Sequence, residues 1–406
     1  MSRTAPTRCA TILPPMVEPQ LRITAPLGAA QTLAWASSYY LLAVLAEPIA
    51  HELALPLPLV FAAFSLALVV SACTGPWAGR TIDRIGGRAV LACSAIAFAA
   101  GLALLSRASG LVGLLCAWAL LGVAMAAGLY DAAFATLVRL HGQHARPSIT
   151  GVTLMAGFAS TVGWPASAWM ASAWGWRGAC LGWAALHLFV SLPLYLSLPR
   201  APAVRERPDD RGQAAEPATP VPLATAAALA AIFAITWFTS TAMAAHLPRL
   251  LQAAGVTLAT AVLVGALIGP AQVVARLLEF GVLQRFHPLL AARLAALGHP
   301  AGALALFALG PVAAPAFAVL HGMGNGIMTI ANGALPLALF GPRGYGARQG
   351  WLMLPARMAQ ASAPFLFGLA LERWGAASLW GTAALGMVSA SLLLTLGRRP
   401  AAVQPS

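Results

Sequence analysis

The chain is patterned as long apolar runs separated by short polar breaks. Twelve runs stand out: 27–47, 57–79, 89–107, 110–138, 148–174, 176–198, 223–247, 258–280, 289–309, 311–340, 349–371 and 376–397. A bilayer core is about 30 Å thick, and about 20 helical residues cross it. Lipid cannot satisfy backbone polar groups, so each run is predicted as a helix. The weakest run is 289–309, interrupted by Arg293, His299 and Pro300. Several runs are longer than a bilayer needs and predict tilt or kinks. Pro165, Pro270 and Pro336 are the expected kink positions. The fold class is an all-α membrane protein with twelve transmembrane helices.

The polar breaks carry the arginines, and their bias sets the orientation. With both termini in the cytoplasm, the inner segments hold 19 arginines. The outer side holds Arg107, Arg177, Arg249 and Arg373, and Arg357 is left inside a span. A bacterial inner membrane is the expected location. Residues 1–26 contain Arg3, Arg8 and Arg22 but no clean apolar segment followed by a small-residue cleavage site. They are expected to be a cytoplasmic tail rather than a signal peptide.

Segment 199–222 is rich in Pro and charge, as a flexible linker is. It separates an N-terminal six-helix bundle (27–198) from a C-terminal one (223–397), with residues 398–406 as a second cytoplasmic tail. The halves echo each other at an offset near 200 residues. Ala145-Arg146 recurs as Ala347-Arg348, and Pro165 as Pro364. Gly79-Arg80-Thr81-Ile82-Asp83 has a worn counterpart in Ala275-Arg276-Leu277-Leu278-Glu279. Shared spacing around a central linker predicts a duplication into two pseudo-symmetric bundles.

Composition narrows the function. Hydrophobic residues make up 60% of 406 and charged residues 9%. Mean hydropathy is +0.79. A soluble domain carries roughly 25% charged residues, so a water-facing surface of this size is excluded. All 24 basic residues are arginine, and the net charge is +13. They are dispersed at span ends rather than clustered on one face, so no nucleic-acid partner is expected. Cys9, Cys73, Cys93, Cys116 and Cys180 form no CxxC pair, and no metal or cofactor is predicted.

The loop after the second run reads Gly79-Arg80-Thr81-Ile82-Asp83-Arg84-Ile85-Gly86-Gly87-Arg88. It resembles the G-x-x-x-D-R-x-G-R-[RK] signature of the major facilitator superfamily, with Gly87 in place of a basic residue. Twelve spans, the linker and two halves extend that resemblance over nearly the whole chain. The resemblance implies secondary transport by alternating access. It also implies a conformational latch from Gly79, Asp83, Arg84, Gly86 and Arg88, docking on span 11. From the residues alone, Asp83 among Arg80, Arg84 and Arg88 reads as an ion-pair partner, and Gly86 and Gly87 permit a tight reversal.

Two branches of the family compete for the substrate. Gly128-Leu129-Tyr130, Ala145-Arg146 and Gly175-Trp176-Arg177 look like the monocarboxylate and oxalate–formate branch, which implies small organic anions. Efflux of drug-like compounds by proton antiport is the alternative. Against it, Ala117 stands where such exporters carry an arginine, and Gly163-Trp164-Pro165 breaks their pattern in span 5.

Charge inside a span is costly unless it faces a partner or a cavity. Asp131 and Arg357 sit at matching depth, roughly 10–13 Å from the cytoplasmic face at 1.5 Å per residue. Asp131 has three readings: the loop charge network, a coupling proton, or a bridge to Arg357. Arg357 reads as an anion clamp or as a structural partner of Asp83 or of helix carbonyls. Glu47 and Glu279 lie at span ends and are expected to be wetted.

The family lines its cavity with spans 1, 4, 7 and 10. Gln31, Trp35, Ser38 and Tyr39 mark span 1, and Trp237 and Thr241 mark span 7. His321, Asn325, Thr329 and Asn332 form a polar stripe on span 10. Substrate contact and interhelical hydrogen bonding are equal readings of each, and His321 could also carry a proton. Gly157, Ser160, Thr161, Gly163, Gly265 and Gly269 are expected to bring spans 5 and 8 together. No catalytic or nucleotide motif is present, so no enzyme is expected. The partners are a small-molecule substrate and the lipid bilayer, the chain acting as a monomer. A non-transporting membrane receptor is the reading from another class.

Overall fold

The computed structural model describes residues 17–200 and 222–397. Residues 1–16 and 398–406 of the predicted tails and nearly all of the predicted linker lie outside the described residues, while residues 17–26, expected in the N-terminal tail, are helical. Among the described residues there are helices and loops but no strand.

Sixteen α-helices line up as twelve rods. The first rod is α1 (Val17–Ala36) continued by α2 (Leu42–Glu52). α3 (Leu57–Ile85) and α4 (Gly87–Ser106) are the second and third. The fourth joins α5 (Leu111–Gly128) to α6 (Tyr130–His141). The fifth joins α7 (Arg146–Ala156) to the first part of α8 (Ala159–Leu186). Gly175, at φ 71°, turns the chain back inside α8. The rest of α8 and α9 (Leu192–Ser197) form the sixth rod.

The C-terminal half repeats the plan. It has α10 (Leu223–Ala253), α11 (Leu258–Ala266) with α12 (Ile268–Gly281), and α13 (Pro288–Leu309). It ends with α14 (Ala314–Phe340), α15 (Tyr345–Trp374) and α16 (Ser378–Thr395). Seven helical stretches are long and apolar enough to cross a membrane, and they take in every rod but the first. That rod is divided at residues 37–41 and starts at Val17, ten residues before its apolar run.

The breaks fall where the helical ladder loses a partner. Only one expected proline matches: Pro270 sits three residues past the break at Leu267 and has no N–H to continue the ladder. The helix runs on through Pro165 and Pro336. At Leu129 the cause is a side chain, because the Gln31 amide donates to the Gly128 carbonyl at 2.5 Å. The weak run 289–309 is one unbroken helix. Arg293 leaves it to donate to the carbonyls of Leu393 and Leu396 at the end of α16. His299 stays inside, bonded to His321 and Thr382.

The halves pack on each other unevenly. Arginines cluster at one end of the rods, and the inter-half pairs lie there: α3 and α6 on α15, and α7 on α12 and α14. At the opposite end α2, α8 and α11 pack only within their own halves. Of the glycines expected to join spans 5 and 8, three do not do so. Gly163 faces Ala36, Gly265 meets Leu247 alone, and Gly269 faces open space. Only Gly157 reaches across, against the Arg276 side chain.

Candidate functional site

Spans 1, 4, 7, 8 and 11 bring a polar and aromatic cluster to the middle of the molecule. Arg357 on α15 donates to the Asp131 carboxylate on α6 at 3.1 Å. Its other terminal nitrogen donates to Gln360 at 2.9 Å, and its guanidinium lies 5.0 Å over the Trp237 ring. Gln360 donates to the Tyr39 hydroxyl, which also meets Thr241 at 3.3 Å. Trp35 packs on Tyr39 and Tyr130 and lies parallel to Trp237 across the two halves. Of the predicted residues, Asp131, Arg357, Trp35, Tyr39, Trp237 and Thr241 therefore meet.

Asp131 also accepts from Gln349 at 3.3 Å and stands in the first turn of α6. A gap of about 10 Å³ lies beside it, bounded by Gly75 and Gly79 of α3 and Gly346 and Gly350 of α15. That is the size of one water. Arg357 thus pairs with Asp131, not with Asp83.

Sequence reasoning missed Tyr130, Gln349, Gln360 and Arg276. Arg276 was counted as a cytoplasmic loop arginine, yet it is 4% exposed on α12. Its guanidinium stands against Gly157 of the N-terminal half. It donates to Gln272 at 3.3 Å, its Nε has no partner, and it forms no ion pair among the described residues. The available signal was a lone arginine within the apolar run 258–280.

Four predicted residues make their contacts inside one half. Gln31 is fully buried and spans the break in the fourth rod, with Tyr195 as a second partner. His321 faces α13 and α16, with 3.0 Å between its Nδ1 and that of His299. Neither reaches the central cluster. Asn332 is buried, and its carbonyl accepts from Gln349. Asn325 is half-buried, and its carbonyl accepts from Thr329. Along the span 10 stripe His321, Thr329 and Asn332 are buried and Asn325 is half-buried.

At the arginine-rich end two carboxylates cross between the halves. Asp83 accepts from the backbone N–H groups of Gly346 and Ala347 at 2.9 and 2.8 Å. It binds the first turn of α15, where N–H groups lack helical partners. It makes no ion pair with Arg80, Arg84 or Arg88, contrary to the sequence expectation. Contact is backbone to backbone: a Cβ on Gly79 would collide with the Gly346 carbonyl, and one on Gly350 with Pro76. Gly86 takes φ 88° to end α3, as the tight reversal requires. Gly87 opens α4 against Thr136. Arg84 is exposed and Arg88 half-buried.

Glu279 is the second carboxylate, and it is buried rather than wetted. It pairs with Arg146 at 2.7 Å, with exposures of 2% and 14%, and accepts from Thr150. Arg146 also donates to the carbonyls of Leu283, Gln284 and Phe286, closing the frayed end of α12. Glu47 is exposed, as expected.

Known proteins share this architecture. The crystal structure of the human organic anion transporter MFSD10 (TETRAN) aligns with TM-score 0.68 and 16% identity, covering 94% of this chain and 100% of that one. The proton:xylose symporter XylE bound to 6-bromo-6-deoxy-D-glucose gives 0.73 and 13%, covering 92% and 94%. FucP in the outward conformation gives 0.70 and 14%, covering 91% and 97%. No curated protein matches the sequence. The profile of the Major Facilitator Superfamily matches residues 27–317. A match over that much of a two-half helical chain makes it a multi-pass membrane protein that belongs to the Major Facilitator Superfamily.

Proposed function

We propose that the chain is a secondary transporter of small organic anions that works by alternating access. The observation that carries this reading is the charge balance at the centre. Arg357 and Arg276 are both buried, each 4% exposed, against one carboxylate, Asp131. A buried unpaired charge is costly, and a carboxylate or similar anion offsets it with bidentate hydrogen bonds. A neutral sugar would leave the surplus in place.

Arginine bias assigns the arginine-rich end to the cytoplasm. The packed end is then the inner one, and the conformation is open to the outside. Asp83 and Glu279 act as latches on the closed inner end. The substrate enters from outside, meets Arg357 and Arg276, and the two bundles, joined by the 199–222 linker, rock about it. Tyr39, Gln360, Trp35 and Trp237 join spans of opposite halves, so a ligand among them is felt by both.

Radiolabelled lactate and oxalate counterflow in liposomes tests the reading. Arg276→Gln is expected to raise the half-saturating concentration about tenfold or more, a loss of at least one charged hydrogen bond. Unchanged half-saturation in folded Arg276→Gln protein would remove the anion reading.

A further inference from the structure

The central cluster has a feature that charge balance alone does not use. Trp35 on α1 and Trp237 on α10 come from opposite halves, and their ring planes are within 4° of parallel. Their centroids are 6.4 Å apart. A flat ring between two aromatic faces needs about 3.5 Å on each side, so about 7 Å in all. The two rings therefore have to separate from their present 6.4 Å centroid distance to admit a flat ring between them.

Both indoles are also short of a partner. Trp35 Nε1 and Trp237 Nε1 are buried and make no hydrogen bond. Leaving a buried donor unmet is costly. Indole N–H groups in protein interiors usually find an acceptor. Here two lack one, and the Arg357 guanidinium lies over the Trp237 ring. The site therefore pairs flat apolar faces with donors and a cation, and Tyr39 and Tyr130 hold Trp35 from the N-terminal half.

We propose that the transported anion is a planar ring carboxylate. Its ring stacks on Trp35 and Trp237, and its carboxylate is held by Arg357, with further acceptor atoms meeting the indole N–H groups. This rests on the anion reading above and narrows it. Stacking joins span 1 to span 7, so the ring itself bridges the two halves. A puckered ring of the same charge cannot lie against both indole faces. A flat neutral ring gives up the guanidinium contact.

Thermal stability of the purified full chain in detergent separates these cases, because a ligand that binds the folded state stabilises it by RT ln(1 + [L]/Kd). The probes are benzoate, cyclohexanecarboxylate, benzamide and lactate. Benzoate is expected to stabilise at about tenfold lower concentration than cyclohexanecarboxylate, the scale of an aromatic stacking preference. Benzamide is expected to have no effect in that range. In Trp237→Leu the ratio of benzoate to cyclohexanecarboxylate potency should fall to about one, a ratio read within one folded variant that separates lost stacking from lost folding. Equal potency of benzoate and cyclohexanecarboxylate overturns the planar-ring proposal. So does stabilisation by lactate without benzoate, and either result leaves the anion reading standing. Benzamide matching benzoate, or no stabilisation by any carboxylate, overturns both.

Discussion

Asp83 and Glu279 occupy matching places near the ends of spans 2 and 8, but they hold the opposite half by different chemistry. Asp83 is half-buried and grips backbone N–H groups at the start of α15. Glu279 is 2% exposed and grips an arginine side chain that also ties down three carbonyls. The first latch depends on one side chain and on glycines that let two helices touch. The second depends on both partners. A duplicated fold has thus kept the positions of two contacts and changed their physics, and each should fail differently.

The largest effect is expected for Arg146→Ala. It strands Glu279 in a buried place, and breaking a buried pair from one side costs about 3–5 kcal/mol. The melting temperature should fall by several degrees, and the inner end should open. Glu279→Gln together with Arg146→Ala should recover part of the loss, because no uncompensated charge remains. A double variant as unstable as Arg146→Ala would show that the carbonyl bonds, not the ion pair, carry the contact.

Asp83→Asn is expected to do less to stability and more to transport. An amide keeps one acceptor oxygen but loses its charge, and charged hydrogen bonds contribute about 1.5–3 kcal/mol each. Counterflow should slow while the protein remains in the membrane. Wild-type rates in Asp83→Asn would break the comparison by showing that the α15 cap is not a latch.

The smallest effect lies at the opposite end. Glu52 bonds Arg177 and the Trp176 indole within the N-terminal half. The Arg177 and Trp176 hydrogen bonds hold its carboxyl below the usual glutamate range. Its folded value is the lower one, so the contribution is present above the ordinary glutamate value and is lost as pH falls through the lowered value. Melting temperature should drop slightly more between about pH 5 and about pH 3 in wild type than in Glu52→Gln. The difference is small because the pair is solvent-exposed. Equal slopes would remove Glu52 from the account.

Much of the fold was legible because lipid imposes one solution on long apolar runs. The twelve runs each meet a rod, and Gly175 turns the chain between the runs 148–174 and 176–198. Breaks were less legible. Proline marked one of them, while the break at Leu129 follows from a glutamine 97 residues away. The site was legible where side chains are rare in spans, as for Asp131, Arg357 and Trp237. It was misread where position along the chain stood in for depth. Arg276 and Glu279 were placed in a wetted end, but α12 carries both into the contact between halves. His321 kept two readings in the sequence because periodicity shows a face, not what covers it.

The central claim is that two latches close the arginine-rich end while the other end stays open. Spin-label distances measure this directly in a cysteine-free background. One pair, Ile85→Cys with Val282→Cys, reports the arginine-rich end, and Val112→Cys with Val312→Cys reports the opposite end; all four positions are exposed. The account predicts that Arg146→Ala lengthens the first distance and shortens the second. Distances at both ends unchanged from wild type would contradict it.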